Sequence, residues 1–169
     1  MLNILNKKII MPSAKIFGEN YTVEVVYKKI SNPELNLCGK IIMVYLPTKY
    51  KRTGDTGILR LALEKMYDEI ARIEIENVME ETRIMLNGLA PENYVIKRIP
   101  NKLAKTLANK TIVINPEIVK YDKEILKYVI LHEFCHLKYK THGKNFYEIL
   151  EKYIPQYKSL EKIIKEYKY

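Results

Sequence analysis

The segment from Glu124 to Tyr139 constrains this chain more than any other. Ile125, Leu126, Tyr128, Val129, Ile130, Leu131, Phe134 and Leu137 place apolar side chains on most sides of a predicted helix, with Asp122 at its N-cap position. A helix that is apolar all round has no face to give to solvent, so other elements must cover it. Inside it stands His132-Glu133-Phe134-Cys135-His136. Residues four apart lie one above the other on a helix, so the two imidazoles converge on one point.

The third and last histidine, His142, follows six residues after His136, past a turn at Lys140–Gly143 that can swing it back as a third ligand. Three histidines scattered over 169 positions take this spacing roughly once in five thousand placements. Three protein ligands and a water make an open, catalytic type of zinc site. Zinc brings the pKa of its water to about 7. Glu133 then takes the water's proton and passes it to the leaving group. The spacing from His132 to His142 equals that of metzincins, but Tyr139 stands at their glycine position and no Met follows Met85. The helix is therefore expected to end by another route, at Thr141 or Gly143. Cys135 reads as a small buried hydrophobe, and Tyr139 and Tyr147 as packing residues under the turn.

The rest of the chain supplies elements to cover that helix. Tyr21–Tyr27, Ile41–Leu46, Tyr94–Ile99 and Thr111–Asn115 read as strands, three of them closed by Pro47, Pro100 or Pro116. Ser31–Asn36 and Cys38–Lys40 carry turn chemistry, and Asn101–Lys110 reads as a polar connection. Ile58–Leu86 has helical periodicity without Gly or Pro, and Lys144–Tyr153 and Tyr157–Lys168 read as shorter amphipathic helices. Residues 1–20 show no period and are expected to form an N-terminal arm, with 21–169 a single domain. The fold expected is α+β, a small mainly antiparallel sheet with packed helices.

Charge and cysteine content bound the function. The net charge is +9, from 29 basic and 20 acidic residues, and only five of the basic residues are Arg. Lys in excess reads mainly as solvated surface. One stretch stands apart: Lys97, Arg98, Lys102, Lys105 and Lys110 follow one another with no acid between them. Arg98, Lys102 and Lys105 are candidate contacts to substrate or phosphate. Two cysteines make no disulfide framework, no apolar run reaches transmembrane length, and the first residues break too early for a signal-peptide core. A cytoplasmic protein is expected.

Tyr128-Val129-Ile130-Leu131-His132-Glu133-Phe134-Cys135-His136-Leu137-Lys138, then His142 and Phe146-Tyr147, resemble the YgjP-like metallopeptidase family, zincins related to SprT and to the DNA–protein crosslink proteases. The family pattern is H-E-L-x-H-L, a polar turn, N-H and x-x-F-W; Thr141 stands for the Asn and Tyr147 for the Trp. Ile112–Pro116 resembles the family's strand before the metal helix, and Tyr27-Lys28-Lys29 with Ile41–Pro47 its N-terminal hairpin. Where the family has R-W-G-S-C, this chain reads Lys102-Leu103-Ala104-Lys105-Thr106. The resemblance implies a zincin-like active-site helix, a Zn²⁺ cofactor held by His132, His136 and His142, Glu133 as catalytic acid/base, and a peptide or protein substrate. Two other readings stand beside this one. One is metal-dependent hydrolysis of nucleotides, and the other a non-catalytic, zinc-stabilised module that binds nucleic acid.

Overall fold

The structure, a computed structural model, describes residues 11–52 and 56–166. In chain order it contains β1 (Met11–Ile16), β2 (Glu19–Lys28), β3 (Glu34–Cys38), β4 (Ile41–Pro47), α1 (Thr56–Met85), β5 (Asn93–Ile96), β6 (Ala104–Thr106), β7 (Thr111–Ile114), α2 (Lys123–Lys138), α3 (Lys144–Tyr153) and α4 (Tyr157–Glu166). A 3₁₀ turn, Pro116–Lys120, leads into α2. The fold is α+β.

The strands form two sheets where one was expected. The first has the order β1-β2-β4-β3, the second β5-β7-β6. Three of the five neighbouring pairs are antiparallel; β2 with β4 and β5 with β7 are parallel. In β4 the alternation is clean: Ile42, Val44 and Leu46 are buried and the residues between them are half-covered, as a strand with one face on a core requires.

Three strands depart from the sequence reading. β1 lies within the expected arm: residues 11–16 pair with β2, and Ala14 and Ile16 enter the core. Residues 1–10 lie outside the described residues. β3 occupies the stretch read as turn chemistry, where Glu34–Cys38 pairs with β4 across the turn at Gly39-Lys40. β6 occupies the supposed polar connection; it is three residues long and pairs with β7 only.

α1 buries one stripe, Leu59, Ala62, Tyr67, Ala71, Ile75, Val78, Met79 and Thr82, and packs on α2 and on the 3₁₀ turn before it. The Thr82 hydroxyl, buried with that stripe, donates to the Val78 carbonyl at 2.7 Å. Along the outer seam Lys123 pairs with Glu74 at 2.9 Å and Lys127 with Glu81 at 3.4 Å. α2 is buried as its sequence demands: Ile125, Leu126, Ile130, Leu131, Phe134 and Cys135 are almost wholly inaccessible. Asp122 holds the N-cap position, but its side chain caps no helical amide. It lies against Gly18 instead. The helix ends when Tyr139 turns extended, its N–H bonded to the Cys135 carbonyl at 2.8 Å. Neither Thr141 nor Gly143 ends it.

Candidate metal centre

His132 and His136 stand one turn apart near the C-terminal end of α2, and the turn between α2 and α3 brings His142 over them. The Nε2 atom of His142 lies 3.2 Å from Nε2 of His132 and 3.0 Å from Nε2 of His136. Bonds of about 2.0–2.1 Å from three imidazoles to one tetrahedral ion set such nitrogens roughly 3.3–3.4 Å apart. The three histidines therefore converge at the spacing a metal ion needs.

The surroundings fix which ring nitrogen faces inward. Nδ1 of His136 lies 3.0 Å from the Tyr139 carbonyl. A carbonyl only accepts, so Nδ1 carries the hydrogen and Nε2 of the neutral ring offers its lone pair. Nδ1 of His132 is 3.4 Å from the Tyr128 hydroxyl, a group that can accept from it in the same way. Converging lone pairs repel unless a cation or a proton lies between them. Burial, then the neighbouring His136 and His142, lower the His132 pKa to about 3, which keeps that ring in the neutral form a metal ligand must have. Burial also lowers His142, with His136 acting the same way. Phe146, the first buried residue of α3, packs under all three rings, with centroid distances of 4.9, 4.9 and 4.6 Å to His132, His136 and His142.

Glu133 is buried beside the triad. Its Oε2 accepts from the Thr106 hydroxyl at 2.6 Å. Burial raises the carboxyl's pKa; the Thr106 hydrogen bond, His136 and the charge of Lys102 oppose that rise. A carboxyl with a raised pKa, held by one hydrogen bond, can both accept and return a proton. Cys135 faces away into the core, where burial pushes its thiol up to about 12. That leaves it an inert core residue.

β6 is placed by a residue the sequence reading did not single out. Asn115, buried at the end of β7, donates through Nδ2 to the carbonyls of Ile99 and Lys102 at 3.0 and 3.1 Å. Its own N–H bonds the Leu103 carbonyl at 2.7 Å, and its Oδ1 accepts from Glu117 N–H at 3.1 Å. One side chain thus pins the loop before β6 and starts the 3₁₀ turn before α2. An Asn ahead of a Pro was the available signal, since that pair commonly begins such a turn. Thr106 had no signal beyond its place opposite the family's R-W-G-S-C.

A cleft of about 680 Å³ opens on the site and is lined by Lys102, Lys105, Thr106, His132, Glu133, His136 and His142, among others. Lys102 and Lys105, two of the candidate contacts, line this cleft. Arg98 does not. It pairs with Asp68 at 2.9 Å and with Glu117 at 3.7 Å, and lines a different depression. Two acids on neighbouring elements hold it there.

The profile of the YgjP-like metallopeptidase domain matches residues 6–167. The chain belongs to the YgjP-like metallopeptidase family. Among its relatives, an uncharacterized protein of Methanocaldococcus jannaschii is 36% identical over 84 residues, 47% of this chain and 76% of that protein. Two solved metallopeptidase zymogens are similar in structure. Abylysin of Pyrococcus abyssi has a TM-score of 0.49 and 24% identity, over 54% of this chain and 93% of its own. Jannalysin of Methanocaldococcus jannaschii has a TM-score of 0.48 and 34% identity, over 54% and 95%. As a YgjP-like metallopeptidase the chain has use for a metal ion, and the histidine cluster can hold one. No helix among the described residues is long and apolar enough to cross a membrane.

Proposed function

We propose that this YgjP-like protein is a zinc peptidase, with His132, His136 and His142 as the metal ligands and Glu133 as general base and acid. The convergence of three imidazole nitrogens beside a buried, hydrogen-bonded carboxyl carries the reading. When bound, zinc supplies Lewis acidity and a water acidified to about 7. Glu133 takes a proton from the attacking water and returns it to the amine nitrogen as the peptide bond breaks. Thr106 orients that carboxyl. The Tyr139 carbonyl holds His136 in the ligating tautomer, and Phe146 keeps the three rings from collapsing into the core. A cytoplasmic location fits the two unpaired cysteines, Cys38 and Cys135.

Nucleotide hydrolysis is the weaker reading. Of the basic residues in the Lys97–Lys110 run, the single arginine is committed to Asp68 and Glu117 outside the cleft.

Metal analysis of the purified wild type beside Glu133→Gln and His142→Ala tests the site. We expect one equivalent of zinc in the first two and its loss in the third. Peptide cleavage should fall roughly 10²- to 10⁴-fold in Glu133→Gln. Wild-type protein without stoichiometric zinc, or a Gln variant as active as wild type, would rule the reading out.

A further inference from the structure

The cleft that leads to the three histidines is lined by five lysines from two directions. Lys102, Lys105 and Lys110 come from β6 and its flanking turns, Lys138 and Lys140 from the end of α2 and the turn beyond it. Glu133 is the one acid among the lining residues. Elsewhere many basic side chains are matched: Lys123 by Glu74, Lys127 by Glu81, Arg83 by Glu80. Among the described residues, no carboxylate ion-pairs with any of the five cleft lysines. Like charges around one concavity repel each other and focus a positive field into it. Such an arrangement is complementary to an anionic ligand.

The lining also says which kind of anion. All five cations are Lys, hydrated point charges that attract an anion without imposing one geometry on it. Among the described residues no Tyr, Phe or Trp lines the cleft, so they offer no broad platform for stacking bases. Ala104, Leu107, Ala108 and Leu137 line the same cleft and offer apolar contact suited to a polypeptide. Resting on the zinc-peptidase reading above, we propose that the substrates are acidic peptide segments, whose Asp and Glu side chains flank the bond cut and meet these lysines.

The test uses the zinc-loaded full chain and three peptide pools of equal length. The pools differ only in whether the flanking residues are acidic, neutral or basic. In about 0.01 M salt the acidic pool should be cut with a kcat/KM about tenfold or more above the neutral pool. That advantage should collapse in about 0.3 M salt, where screening shortens the reach of the field. Replacing Lys105, Lys138 and Lys140 together by Ser should lower the acidic-to-neutral ratio about tenfold. Lys102 is left in place because its charge also acts on Glu133. The double change Lys29→Ser/Lys51→Ser removes charge away from the cleft and should leave the ratio where it was. Zinc-dependent cleavage with no acidic preference, or a preference untouched by the triple change, overturns the proposal and leaves the peptidase standing. Absence of cleavage in every pool overturns the peptidase reading and this one with it. Salt-sensitive capture of single-stranded oligonucleotide without acidic-peptide preference also overturns it, in favour of nucleic acid.

Discussion

Thr106 and Tyr139 act on the site through other residues. The Thr106 hydroxyl holds Oε2 of Glu133 at 2.6 Å, and the Tyr139 carbonyl holds Nδ1 of His136 at 3.0 Å. Partners of this kind change activity or metal affinity by roughly 10- to 100-fold when removed. Thr106→Val keeps the shape and deletes the hydroxyl, so kcat/KM should fall by about that factor with zinc content unchanged. The pH profile should move as well. The Thr106 hydrogen bond lowers the Glu133 pKa against the rise from burial. Without it the carboxyl holds its proton to higher pH, so the acidic limb of kcat/KM shifts upward. Thr106→Ser should restore both rate and limb. A Val variant that loses activity with an unmoved limb, or that Ser fails to rescue, would mean that Thr106 only packs. At this scale the sequence was informative where spacing carries meaning. His132, Glu133 and His136 were legible because a helix converts four residues into one turn. Thr106 was not, because its partner lies 27 residues away. Of Asn115 only the local turn before Pro116 was legible, since Ile99 and Lys102 lie 16 and 13 residues away and only tertiary structure brings them to it.

The elements show the same divide. α1 and α2 were legible as elements because they are long: α2 is apolar on most sides, and α1 runs without Gly or Pro beyond its first turn. The buried stripe of α1 is nonetheless largely Ala, Tyr, Met and Thr, and its Leu61, Ile73 and Ile84 are exposed. β3 and β6 are short edge strands with little buried surface of their own, and Asn, Lys or Thr in them resembles turn chemistry. β1 is joined to β2 by the two-residue turn Phe17-Gly18, with φ of +49° and +80°. Both values are positive, which suits the twist of a two-residue hairpin. Phe is an unusual residue for that position, so the turn was hard to see. The hairpin tip donates from Phe17 N–H to the Val119 carbonyl at 2.7 Å and from Gly18 N–H to the Lys120 carbonyl at 3.1 Å. It thereby ties the first sheet to the 3₁₀ turn that leads into α2. Gly18 has two reasons to be glycine: its φ, and the Asp122 carboxylate, which occupies the place of a Cβ. Gly39 has only the first; φ is +59° and nothing lies within 4 Å of its Cβ position. Gly39→Ala should cost about 1 kcal/mol for the left-handed backbone alone. Gly18→Ala should cost more, about 2 kcal/mol or above, with the hairpin pushed off Asp122. Urea midpoints of the two variants, at an unchanged m-value, measure the difference; equal midpoints would show that the contact with Asp122 yields freely.

For the whole molecule, metal and fold are linked through protons. His132 titrates at about 3 in the metal-free fold because burial, His136 and His142 disfavour its charge. In the unfolded chain it takes its proton near the ordinary value of about 6.5. Between those values the unfolded chain binds the proton and the fold does not, so stability is lost as pH falls from about 6.5 toward 3. His142, lowered as well, adds in the same direction. Glu133 opposes them. Its folded pKa is raised, so its contribution favours the fold at low pH and is lost as pH rises through that value. On the zinc-peptidase reading, a bound ion would add to the histidine side of the balance, because it takes the neutral rings of the folded state and competes with protons for them. Zinc-loaded protein should therefore melt well above chelator-treated protein near pH 7.5. The gap should narrow through about pH 6.5 to 5 as protons displace the ion. His142→Ala should shrink the gap at every pH, because two imidazoles hold the ion less tightly than three. Thermal melts with and without chelator across that range decide the matter. A gap that stays constant on acidification would mean that the ion stabilises the protein through groups other than these histidines.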